Sequence, residues 1–141
     1  MRRILCTALA FVVVASLSAA PSLAEGKRRM SDEWTAESPV PYPNLGPPGC
    51  TQGTEGMQKE SYELTTPGPG MLDATLAHFY GDWDLWIMDD KNRPLASSRA
   101  PNEPLERVRL RLKAHQKIWI VACNGAGGPA AEVAFSYVYT L

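Results

Sequence analysis

An antiparallel β-sandwich is the fold class this sequence predicts, and three observations carry the prediction. Apolar and polar residues alternate with period two along short runs from Tyr62 to the C-terminus. Turn-forming clusters such as Pro67-Gly68-Pro69-Gly70 separate those runs. No stretch repeats its apolar residues convincingly at helical spacing. A strand with one apolar face is not stable alone, and two sheets packed face to face bury all such faces. The expected fold is therefore all-β, with about seven to eight strands.

The first 24 residues predict a secretory signal. Arg2 and Arg3 precede an apolar core, Ile4 to Ala15, and a small-residue stretch ends in Ser22-Leu23-Ala24. That core is too short to span a bilayer comfortably, and no second apolar run follows, so no membrane anchor is expected after cleavage. Residues 25–49 collect charges and then Pro39, Pro41, Pro43, Pro47 and Pro48, which read as an extended arm or linker, mobile to about Ser38. The globular domain is expected over residues 50–141.

Within it, Tyr62 and Leu64 alternate with Glu63 and Thr65, then Leu72, Ala74 and Leu76 with Asp73 and Thr75. Trp83, Leu85 and Ile87 alternate with Asp82 and Asp84, and Asp89 to Arg93 reads as a turn with Asn92 in its left-handed position. A short strand follows around Leu95 to Ser97. Val108, Leu110 and Leu112 alternate with Arg107, Arg109 and Arg111 in the clearest two-residue pattern of the chain. Ile118 to Cys123, then Val133, Phe135, Tyr137 and Tyr139, complete the set.

Charge and cysteine usage exclude several classes of function. Cleavage after Ala24 leaves 117 residues, one domain's worth, and removes two arginines, moving the net charge from −1 to −3. No nucleic acid is expected as a partner, because such proteins usually carry a strongly basic face. Cleavage also removes Cys6, leaving Cys50 and Cys123, an even pair that predicts a disulfide in an exported chain. It would close a loop of about 74 residues, worth on the order of 4 kcal/mol. The pair, with only His78 and His115 elsewhere, lacks zinc-ligand spacing.

The order of these pieces carries a family resemblance. Gly70-Met71-Leu72-Asp73-Ala74-Thr75-Leu76 forms a glycine-led alternating strand, and Gly81-Asp82-Trp83-Asp84-Leu85-Trp86-Ile87 follows it. Asp89 to Leu95, Ala96-Ser97-Ser98, Glu106 to Leu112 and Lys117 to Val121 come next. Together, over roughly residues 58–141, they resemble the bacterial pre-peptidase C-terminal domain, a small sandwich appended to secreted proteases, which has a G-D-x-D-L-Y-V strand. The resemblance implies a jelly-roll-like sandwich and a non-catalytic binding, targeting or folding-aid role. Departures are the cysteine pair, Ala130-Ala131-Glu132-Val133 in place of the glycine-then-tyrosine entry to the last strand, and no peptidase domain ahead of these residues. Some relatives on collagenases bind calcium and collagen, but no residue-level match carries those ligands over.

Four side chains stand out as candidate sites. Asp82 and Asp84 share one face of their strand, opposite the apolar residues, and so are expected on the wet side. As weak calcium candidates they would need four or more further oxygen ligands, and Pro94 stands where an EF-hand loop needs its third acidic ligand. As a catalytic pair they would need a pocket that raises one pKa. Nucleophilic catalysis finds no G-x-S-x-G and no related histidine placement. Trp86 shares the aspartates' parity, and the resemblance puts Trp119, Val121 and Cys123 outward too. These tryptophans are either a ligand-binding surface or lie beneath Tyr42 to Pro48, which a Cys50–Cys123 tether would hold over them. Arg107, Arg109 and Arg111 predict a solvated basic stripe, with docking to an acidic surface polymer or a membrane headgroup as its functional alternative, or pairing with Asp82 and Asp84 if the strands are neighbours.

The leading expectation is an exported, non-catalytic interaction module, without a cofactor, whose partner is an envelope polymer or another exported protein. The alternatives are a calcium-stabilised structural domain and a small secreted hydrolase using the carboxylate pair.

Overall fold

Eight strands make two antiparallel sheets of four in the computed structural model, which describes residues 26–42, 49–101 and 103–141 without the Cys50 side chain. They are β1 (Lys27–Glu37), β2 (Lys59–Thr65), β3 (Gly70–Ala77), β4 (Gly81–Asp89), β5 (Pro94–Ser98), β6 (Leu105–Leu112), β7 (Lys117–Gly127) and β8 (Ala130–Thr140). The first sheet runs β1-β8-β3-β6 and the second β2-β7-β4-β5. The segment expected to be a signal peptide lies outside the described residues.

Each strand turns its apolar parity into the space between the sheets. Leu72 and Leu76 of β3, Trp83, Leu85 and Ile87 of β4, Ile118 and Ile120 of β7, and Val133 and Tyr137 of β8 are buried there. Each large apolar side chain buried this way contributes about 1.5–3 kcal/mol relative to leaving it in water. Tyr137 keeps its hydroxyl satisfied by donating to the Gly68 carbonyl at 2.6 Å. At the start of β4 the backbone approaches β7 closely. Gly81 has φ +83°, and a Cβ there would stand 2.6 Å from the Ala126 carbonyl oxygen. The approach seats the Trp83 indole, whose N–H donates to the Gly128 carbonyl at 3.2 Å.

One expectation is corrected here. Lys27–Glu37, which composition predicts to be part of a mobile arm, is the edge strand β1, paired with β8 along its full length. An edge strand with one wet face needs few apolar residues. Met30, Trp34 and Ala36 supply the inward parity, interrupted by Asp32, and Trp34 stacks on Tyr62 with ring centroids 5.0 Å apart. The prolines act only beyond the strand's end.

The turn after β4 forms as its chemistry predicts. Asn92 has φ +56°, while the Asp89 carboxylate accepts from the Lys91 and Arg93 amides, each at 2.9 Å. Asp89 also receives the Arg93 guanidinium, which holds its pKa down at about 2.

Candidate functional site

The outer face of the second sheet is set by cross-strand register. β4 and β7 place Asp84 beside Cys123, Trp86 beside Val121 and Met88 beside Trp119. β2 adds Lys59, Ser61 and Glu63 to the same three rows. Trp86, Met88, Val121 and Cys123 form a second apolar cluster, packed by Tyr42 and Trp119. Tyr42 is fixed there by its amide, which donates to the Asn124 carbonyl at 2.8 Å. The buried Asn124 side chain locks the same corner, donating to the Ser38 carbonyl at 2.6 Å and accepting from the Gly127 amide at 2.7 Å.

Trp86 is consequently not an open surface. It is only 2 % exposed, with the Arg99 guanidinium 4.8 Å from its ring centroid. This corrects its assignment as an accessible ligand contact and agrees with the expected cover at Tyr42. The rest of the expected cover, residues 43–48, lies outside the described residues. Trp119 is half-buried and borders a hollow of about 630 Å³, lined also by Met88, Val121, Glu55, Glu63 and Asn92. Lys117 extends over the Trp119 ring, 5.0 Å from its centroid, and pairs with Glu63 at 2.9 Å.

Nor do the two aspartates sit simply on a wet side. Both are half-buried, with the Asp82 carboxylate against Gly125, where the β4–β7 register shifts. Burial, reinforced by the charge of Asp82, pushes the Asp84 carboxyl up to about 6, while Arg99 pulls the other way. The Asp84 carboxyl faces the Trp86 indole N–H, but the buried N–H stays outside hydrogen-bond geometry. The physical reason for the difference is that this sheet face is covered, so outward parity does not mean solvent. Among the described residues, no three His, Cys, Asp or Glu side chains are grouped to hold a metal ion.

Glu106 is the residue that sequence reasoning missed. It shares the inward parity of Val108 and is fully buried, accepting from the Ser98 hydroxyl and, at 3.0 Å, from the Ala100 amide. Desolvation raises its pKa. Its inward parity in the alternation of β6 was the available signal.

The arginine stripe lies on the other sheet. Because β6 pairs with β3, Asp73 sits opposite Arg109 and takes both Arg107, at 2.5 Å, and Arg109, at 3.2 Å. Hydrogen bonding from Arg107 holds the Asp73 carboxyl below the usual carboxylate range. Asp82 and Asp84, on β4 of the opposite sheet, are not its partners. Two adjoining hollows of about 390 and 580 Å³ open along this face, sharing Met71 and Val138.

No family model and no curated protein matches the sequence. Among solved structures, the fold is similar to the pre-peptidase C-terminal domain of a collagenase from Bacillus anthracis. The match has a TM-score of 0.45 and 9 % identity, covering 78 % of this chain and 88 % of that one.

Cys123, the second predicted bridge residue, is fully buried on β7, and the turn Gly49–Gln52, which contains Cys50, packs against that strand. The Cys50 side chain itself lies outside the described residues.

Proposed function

We propose that this chain is an exported, non-catalytic binding module that attaches to an envelope polymer through the outer face of its second sheet. The observation that carries the reading is the hollow beside the half-buried Trp119, which Glu55, Glu63 and Asn92 also line and whose ring Lys117 already approaches as a cation. An aromatic platform with a few surrounding polar groups is the usual composition of a small-ligand or glycan contact. Export is supported by the N-terminal pattern of Arg2, Arg3 and the apolar run to Ala15. The Cys50–Cys123 bridge is supported by the full burial of Cys123 and by the packing of the Cys50 turn against β7. The raised carboxyl of Asp84 beside Asp82 is what the hydrolase alternative requires, but neither aspartate lines any of the hollows described above, which supports the non-catalytic reading.

The test is co-sedimentation of the purified chain with insoluble envelope material from its source cells. Wild type should pellet, and Trp119→Ala should pellet several-fold less while melting normally. Equal pelleting of the two would remove Trp119 from the contact, and binding only to protein-bearing fractions would make another exported protein the partner. If Asp82→Asn abolished a hydrolytic activity of the wild type, the non-catalytic reading would be wrong.

A further inference from the structure

We propose that the outer face of the first sheet is a second binding surface, a cationic trough that takes a single extended chain of a carboxylate-bearing polysaccharide. It lies on the opposite side of the sandwich from Trp119 and goes beyond the module reading above. It borrows only the expectation of export, since such polymers are met outside the cell.

The trough follows from register. In one row across the sheet, Arg29, Val138, Met71 and Arg111 lie side by side. The next rows set Ser31, Ser136 and Asp73 beside Arg109, and Glu33, Ala134 and Thr75 beside Arg107. Cationic side chains thus stand on both edge strands at the Lys27–Arg29 end of the sheet and on β6 alone beyond it, where Glu33 closes the β1 rim, with small and apolar residues and Asp73 as the floor. Three inter-strand steps separate β1 from β6, so the rims are about 14 Å apart. That is wide enough for one polymer chain and too narrow for two sheets or a helix pair. The two hollows join end to end, and their linings contain six cations (Lys27, Arg29, Arg107, Arg109, Arg111 and Lys113) against one carboxylate, Asp73.

Asp73 does not cancel this charge. It braces Arg107 and Arg109, fixing two guanidinium groups that would otherwise be ordered only on binding. Arg29 and Arg111 have no acidic partner among the described residues, and both are exposed. Guanidinium groups bind carboxylates through paired, planar hydrogen bonds. Successive arginines on β6 are spaced two residues apart, about 6.7 Å, so they present a repeating row of sites to a repeating anion.

Charge on the rest of the molecule selects the polymer. The full chain carries a net charge of −1, and Glu55, Glu63, Asp82 and Asp84 gather on the other sheet. A long nucleic acid would be repelled beyond this one face, and the two aromatic residues of the linings, Phe135 and Tyr139, pack on the inner core, leaving the hydroxyls and methyls of Thr75, Ala134 and Ser136 on the floor rather than rings for base stacking. A membrane is disfavoured because Val40, Met57, Tyr80, Leu95, Leu105 and Leu141, the exposed large apolar side chains among the described residues, line neither hollow.

Affinity electrophoresis of the intact exported chain through gels containing alginate tests the proposal, with dextran as the neutral control. Wild type should be retarded by alginate and not by dextran, and the retardation should weaken from about 50 to about 300 mM NaCl. The Arg109→Glu/Arg111→Glu variant should lose about tenfold or more in apparent affinity. Both positions are exposed, so its melting temperature should confirm folding. Trp119→Ala should be retarded like wild type, which separates this face from the one proposed above. The inference is overturned if the double variant binds alginate as well as wild type. It is equally overturned if single-stranded DNA or anionic phosphatidylglycerol vesicles bind the wild type more tightly than alginate does.

Discussion

Asp84 shows what burial does to one carboxylate. Burial on a covered sheet face, reinforced by the charge of Asp82 and opposed by Arg99, raises its pKa to about 6, so at neutral pH the folded protein carries a charge it holds poorly. Asp84→Asn removes that charge while keeping the shape. We expect it to stabilise the fold at pH 7.5 by about 1 kcal/mol, after allowing for the solvent that still reaches the group. Urea unfolding of the two proteins at that pH checks it, and a loss of stability would mean that the ionised form makes a bond that matters. Asn92 offers a backbone test. Its φ of +56° suits asparagine or glycine, so Asn92→Gly should change stability little, whereas Asn92→Ile should cost about 1–2 kcal/mol. Equal melting temperatures for the two variants would contradict a strained turn.

At the scale of elements, β1 is the strand whose removal says most. It covers β8, and its Ala36 and Trp34 close one end of the core. Deleting residues 25–38 should lower the urea midpoint and expose β8 as a long unpaired edge prone to association. Size-exclusion chromatography would then show oligomers absent from the wild type. A monomer of unchanged stability would make β1 a mere appendage. The same strand marks the limit of what the sequence reveals. Strands with dense alternation, β3, β4 and β8, and β6 from Val108 onward, are legible because their inward residues are apolar in unbroken succession. β1 is not, because Asp32 breaks its pattern and its other face is charged. Site residues divide in the same way. Parity correctly puts Trp83, Leu85 and Ile87 in the core and Trp86 on the opposite face, but parity cannot tell a covered face from an open one. The folding back of Tyr42 onto Asn124, a contact between residues 82 positions apart, decides that Trp86 is sealed and Asp84 half-dry. The partner of the arginine stripe was likewise hidden, since it depends on β6 lying beside β3 rather than β4.

For the whole molecule, carboxylates shifted in opposite directions set how stability varies with pH. Asp84 and Glu106 have pKa values raised by burial, whereas Asp73 and Asp89 have values lowered by arginine partners. A raised group binds its proton more tightly in the folded state, so its stabilising effect is full below the unfolded pKa and is lost as pH rises through the folded value. For Asp84 that window runs from 3.8 to about 6. A lowered group behaves in the reverse sense, and Asp89 loses its contribution as pH falls from 3.8 through about 2. Acidification from neutrality should therefore first stabilise the protein and then destabilise it, with the maximum at about pH 4–5. Thermal melts from about pH 8 to about pH 2.5 at constant ionic strength would trace the curve. In Asp84→Asn the gain between about pH 7 and about pH 5 should shrink, while the acid limb stays in place because Asp73 and Asp89 still supply it. A wild-type curve that falls monotonically below pH 7 would show that the covered face is wetter than its packing implies, and that Asp84 ionises there at little cost.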